Sequence, residues 1–181
     1  MRGLIALIVV CVLGVIVCAP VLLSQSLSAG ARLLIGTWQQ NIEKSIYDPG
    51  PPPPKGTGAV RQYAAGSDGA VVAITMNIDL QGLPSLGAVA AANYDGKEYV
   101  QHTVATLATS LGSHLAPQIN RTISYKPIDQ YTVEIVQKQD GEVVSINTRT
   151  ISRDGKTMTE RYDYTNAQGQ RIRNVLVFEK R

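Results

Sequence analysis

The chain has 181 residues, 44% of them hydrophobic, with 17 basic and 14 acidic side chains and a formal net charge of +3. That length suits one ordinary domain able to bury a proper core. The charges are scattered rather than massed, and no basic block that would track a phosphate backbone is present, so nucleic acid is not an expected partner.

From Gly3 to Ala31 there is no charged side chain; Arg2 precedes the stretch and Arg32 closes it. A basic residue, an apolar run from Gly3 to Leu23 and a small-residue exit at Ala29-Gly30-Ala31 match the parts of a secretory signal, with cleavage expected after Ala31. The run is also long enough to cross a bilayer as a helix. Residues 1–31 are therefore read as a signal peptide or an N-terminal membrane anchor, with membrane contact only through residues 3–23 if uncleaved. Either reading places residues 32–181 outside the cytoplasm, periplasmic or secreted. Cys11 and Cys18 both lie in this segment, each after a valine rather than the small residue of a lipoprotein signal. The remaining chain has no cysteine, hence no disulfide or thiolate chemistry.

The first expected strand carries Gly36-Thr37-Trp38. After it, Pro49 and the run Pro51 to Pro54 forbid helix and central strand and predict a stiff polyproline II connection. A rhythm of turns then begins: Asp or Gln precedes Gly69, Gly82, Gly96, Gly141, Gly155 and Gly169, spaced by 13, 14, 45, 14 and 14 residues. Asp-Gly supplies the positive φ angles of a tight hairpin turn. A fourteen-residue period leaves room for one strand and its turn, so the chain reads as an up-and-down meander. Strands are expected at 71–78, 119–125, 131–135, 143–151, 157–165 and 172–178, all rich in β-branched or aromatic residues. In the long gap, Val104, Leu107, Leu111 and Leu115 form a helical stripe before Pro117, which predicts one short inserted helix over 103–117. It would plug an open barrel end or form a lid over a cavity. Polar residues occur on both faces of several strands, as they would in a loosely registered sheet or in a barrel with a partly polar interior.

Little in this pattern is catalytic. His102 and His114 have no metal-ligand spacing and no cysteine partner. No Gly-x-Ser-x-Gly elbow or phosphate loop occurs. Glu134, Glu142, Glu160 and Asp163 are dispersed on strands, where exposed faces would carry carboxylates in any case. Eight tyrosines stand against one phenylalanine. Tyr131, Tyr162 and Tyr164 lie on expected strands, and their apolar bodies with polar tips suit a partly wet cavity or an outer sheet face.

Gly36-x-Trp38 at the head of a meander resembles the opening signature of the lipocalin and fatty-acid-binding-protein superfamily. That resemblance implies a barrel closed at its base by Trp38, with Gly36 letting the chain pass and a basic residue of the last strand, Arg171 or Arg173, across the ring. Lys44-Ser45-x-Tyr47-x-Pro49-Gly50-Pro51, Tyr94-Asp95-Gly96-Lys97-x-Tyr99, Ser152-x-Asp154-Gly155-Lys156-Thr157 and Asn174-Val175-x-Val177-x-Glu179-Lys180 are similar to a group of exported bacterial lipocalin-like proteins of unassigned function. The second lipocalin motif and the lipocalin disulfide are missing, so no retinoid- or fatty-acid-type ligand is inherited.

The expectation is an all-β antiparallel meander barrel of about 8–10 strands with one short inserted helix, spanning 32–181. Its expected function is non-enzymatic binding of a small apolar or amphiphilic molecule, with no metal or cofactor. Trp38, Met76, Tyr131 and Phe178 are the expected lumen lining; Gly36, Trp38 and Arg173 are expected to close the barrel. The alternative is a filled barrel serving as a structural or interaction module of the bacterial cell envelope.

Overall fold

The computed structural model describes residues 29–103, 120–165 and 168–181. A short helix, α1 (Ala29–Leu34), leads into β1 (Gly36–Ile46), β2 (Gly58–Ala65), β3 (Val71–Ile78), β4 (Pro84–Ala92) and β5 (Glu98–Thr103). There follow β6 (Arg121–Pro127), β7 (Thr132–Gln139), β8 (Glu142–Ile151), β9 (Thr157–Tyr162), β10 (Tyr164–Thr165), β11 (Arg171–Ile172) and β12 (Val175–Lys180). The six expected turn glycines all lie between successive strands and all have positive φ. Asp140 and Gly141, at φ 51° and 88°, join β7 to β8. Two central residues with positive φ give the turn a twist that matches its strands.

Among the described residues, ten strands close a barrel in the order β1-β12-β9-β8-β7-β6-β5-β4-β3-β2, and β2 returns to β1. Every pairing is antiparallel. Closure leaves the barrel no free edge. The expected strands at 157–165 and 172–178 are each shorter or shifted. Between them β10 and β11 leave the barrel as a separate hairpin, and Asn174 ties the return to Tyr162 and to Asp48. The inserted helix expected over 103–117 lies, from Val104 onward, outside the described residues. The short helix that is described is α1 instead.

α1 covers one end of the barrel. Ala31 and Leu34 are buried with Trp38, Tyr63, Val71, Ala73, Ile151, Met158 and Phe178 in one apolar cluster. A second cluster holds Ala90, Ala92, Ile123, Tyr125, Val133 and Ile135 across the barrel.

The barrel-closing group differs in one member. Gly36, at φ 133°, holds a backbone conformation that L side chains rarely adopt, and an added Cβ would lie 2.8 Å from Cε of Lys180, which would have to move aside. Trp38 is fully buried, and its Nε1–H donates to the Leu34 carbonyl at 2.7 Å. The cation over the ring is Lys180, 5.2 Å from the centroid, and its ammonium also donates to the Leu33 carbonyl. Arg173 is not that partner. It lies before β12, exposed, and pairs with Asp48 at 3.2 Å. Register decides this, because Trp38 stands opposite Lys180 across the β1–β12 ladder.

Candidate functional site

Period-two alternation on β2, β8 and β9 sends Arg61 and Tyr63, Asn147, Arg149 and Ile151, and Met158, Glu160 and Tyr162 into the lumen. There the charges form one network. Glu160, 1% exposed, accepts from Arg149 Nε at 2.9 Å, Arg149 Nη2 at 2.8 Å, Arg61 Nη2 at 2.8 Å and the Tyr162 hydroxyl at 2.8 Å. Arg149 lies over the rings of Tyr63 and Tyr125 and donates to the Tyr94 hydroxyl at 3.3 Å. Tyr94 stacks on Tyr125 with centroids 4.8 Å apart. Arg61 lies over Phe178, 4.9 Å from its centroid. Guanidinium planes on aromatic faces combine cation–π attraction with dry packing.

Burial pushes the Glu160 carboxyl up, but Arg61 and Arg149 together with its hydrogen bonds outweigh this and hold it at about 2. Burial also opposes charge on both arginines, yet the Glu160 carboxylate keeps them firmly protonated. The hydroxyls of Tyr63, Tyr94, Tyr125 and Tyr162 are raised by burial and stay neutral. The Glu160 shift is a stability statement. A carboxyl held below its ordinary value stabilises the fold above about pH 4.5, and that contribution fades as pH falls toward about 2. Its size is on the order of 3 kcal/mol. Urea midpoints taken from pH 7 down to pH 2.5 are expected to drop most steeply below pH 4.5; a flat profile would disprove the pairing.

Two spaces adjoin this network. The inner one is a chamber of about 40 Å³ lined by Arg61, Tyr63, Thr75, Gln101, Gln137, Asn147, Arg149 and Glu160 among others. The outer one is a pocket of about 460 Å³ at the barrel mouth, between α1 and the β6–β7 turn. Its walls are Ala31, Leu34, Tyr94, Pro127, Tyr131, Val133 and Ile151, and Arg149 reaches it from the lumen side. At the rim, Asp129 is tied into the turn by the N–H groups of Tyr131 and Thr132. A larger hollow of about 760 Å³ lies outside the barrel, between β1 and the proline segment. Its walls are about half polar, with Gln39, Asn41, Glu43, Lys55 and Glu179 beside Ile42, Pro52 and Pro53. Apolar walls with few polar groups are the mark of a small-molecule site, and the mouth pocket has them.

The expected lumen residues are thus dispersed. Trp38 and Phe178 lie buried under α1, and Tyr131 lines the mouth pocket at the same end. Met76 is not in the lumen. It stands opposite Val60 and Leu86, on the face of β3 away from Thr75, where a bulge follows Thr75 in the β3–β4 ladder. Glu160, grouped by sequence with surface carboxylates, is the most buried charged residue among the described residues. Tyr162 enters the network, whereas Tyr164 belongs to the outlying hairpin. His102 is exposed on β5, and His114 lies outside the described residues. The sequence pattern does not mark Arg61, Tyr63, Tyr125 and Arg149 as site residues, and shows Tyr94 only within a turn motif, although each of Arg61, Arg149 and Glu160 shares a strand face with large apolar residues two positions away. That mixed face was the available signal.

No family model matches the chain, and no curated protein matches it. Among solved structures it is similar to a redesigned β-barrel, mFAP1, bound to DFHBI, at 12% identity and a TM-score of 0.43, over 84% of this chain and 100% of that one. It is also similar to EF1p2_mFAP2b bound to DFHBI, at 12% identity and a TM-score of 0.43, over 86% of this chain and 100% of that one. The all-β, closed ten-stranded antiparallel meander itself follows from this chain's own strand pairing.

Proposed function

We propose that this barrel binds a small apolar or amphiphilic molecule at its α1 end, outside the cytoplasm, without catalysing a reaction on it. The mouth pocket carries the reading. Its volume of about 460 Å³ falls in the range of small-molecule sites, and its walls are mostly apolar with Arg149 as the polar group at depth. Burying apolar ligand area there would contribute about 25 cal/mol per Å². The uncharged stretch from Gly3 to Ala31 supports the address. The locking of Glu160 between two arginines favours a charge-balancing role for it over proton transfer.

Native mass spectrometry of the full chain, purified from its own envelope fraction and offered dodecanoate and dodecanol, tests this. A stoichiometric adduct is expected, lost in Ile151→Phe, which narrows the pocket. A bare mass under all conditions would favour the second reading, a filled-barrel interaction module. That alternative has its own support in the inner chamber of only about 40 Å³. It predicts that deleting Pro51–Pro54 abolishes partner binding while thermal stability stays nearly unchanged.

A further inference from the structure

The lumen is not neutral. Arg61 and Arg149 bring two guanidinium groups inside the barrel, and Glu160 brings one carboxylate. All fourteen Asp and Glu of the chain lie within the described residues, and Glu160 is the one that is buried. Segments 1–28, 104–119 and 166–167 contain neither Asp nor Glu, so no other part of the chain can supply the missing negative charge. The four lumen tyrosines stay protonated and do not supply it either. An uncompensated buried charge is costly, and proteins normally pair it.

Donors point to the same conclusion independently. Among the described residues, Nε of Arg61 and the hydroxyl of Tyr63 are buried without a hydrogen-bond partner. Tyr63 is only 2% exposed. The two residues stand two positions apart on β2, so their side chains share the inner face, and both line the chamber. Buried polar groups are seldom left unpaired, because each costs roughly 1–3 kcal/mol. The chamber's volume of about 40 Å³ holds more than one water-sized group but no drug-sized ligand.

From this charge excess, these two donors and this volume, we infer that the inner chamber is a binding site for a small monovalent anion of one to about four heavy atoms, of the halide or nitrate kind. The anion accepts from Arg61 Nε–H and Tyr63 O–H and neutralises the second guanidinium. The site does not depend on the mouth pocket, and a ligand there is neither required nor excluded by it.

Thermal melts of the full chain in mild non-ionic detergent, at constant 100 mM ionic strength, test the inference by replacing sodium gluconate with chloride, bromide or nitrate. Gluconate is too large for the chamber. At about ten times its Kd, a small anion bound to the native state alone is expected to raise the melting temperature by about 5 °C. The general salt effect runs the other way, since nitrate stabilises proteins less than strongly excluded anions do. Arg61→Met leaves a neutral Arg149–Glu160 pair and is expected to abolish the anion response. Tyr63→Phe keeps the ring under Arg149 and is expected to weaken the response at least threefold in midpoint concentration, which preserves the test should Arg61→Met not fold. Crystals grown in bromide should show an anomalous peak beside Arg61 and Tyr63. Equal melting in all salts, an undiminished response in Tyr63→Phe and Arg61→Met, or bromide at the surface only would each overturn the site. Loss of the dodecanoate adduct would not.

Discussion

Replacing Glu160 by glutamine is expected to lower the unfolding free energy by about 3–5 kcal/mol, the usual cost of removing one partner from a buried ion pair. Four donors converge on this carboxylate, from Arg61, Arg149 and Tyr162. Glutamine keeps the shape but turns one oxygen into an NH₂ group that faces guanidinium N–H donors. It also leaves the buried Arg149 and the largely buried Arg61 with no anion of the chain's own. Urea unfolding at pH 7 measures the loss. The double variant Arg61→Met/Glu160→Gln should be more stable than the sum of its single losses, because the residues share one network. The acid-side fall in stability described for the native chain should be largely missing from Glu160→Gln. A Glu160→Gln unfolding free energy within about 0.5 kcal/mol of the native one would mean that the lumen charges are solvated in solution.

Trp38→Ala is expected to cost a similar amount, about 3–5 kcal/mol. The indole is fully buried against α1, Phe178 and Met158, and nothing nearby is free to fill the space it leaves. Trp38→Phe separates two contributions. Phenyl retains much of the apolar contact and the face under Lys180, but it cannot donate to the Leu34 carbonyl. A loss of about 1–2 kcal/mol is expected from that bond alone, with faster amide exchange confined to α1. Trp38 is the sole tryptophan, so the native chain is followed by its own fluorescence and the variants by circular dichroism. Uniform exchange across the barrel in Trp38→Phe would show that the indole bond does not fasten α1.

Much of the architecture was legible because its determinants are local. Asp140-Gly141 needs only its own two residues to favour positive φ, and the near-regular glycine spacing converts that local preference into a strand count. Val71 to Ile78 became β3 with the expected bounds, since β-branched residues between two glycine turns have few alternatives. Gly36 and Trp38 stood out for the same reason: both are short-range features of one strand. The mixed polarity of the strands also carried a true message, a partly polar interior.

Facing and partnership were not legible, because they depend on register and closure. Bulges opposite Thr75 and Gln137 put an extra residue into β4 and β8, so the inward face of those strands cannot be counted by simple alternation. β3 itself alternates without a break, and Met76, next to the lumen-lining Thr75, falls on its outer side. Lys180 rather than Arg173 covers Trp38 because the β1–β12 ladder aligns it so, a pairing across 142 positions of sequence. Arg61 and Glu160, 99 residues apart, meet only when β9 and β2 curve to the same interior. Composition and turn chemistry therefore determined that this chain is a meander long enough to close. Only closure decided which charges were taken out of water, since the cost of burying a charge depends on the partner across the barrel and not on its neighbours in sequence.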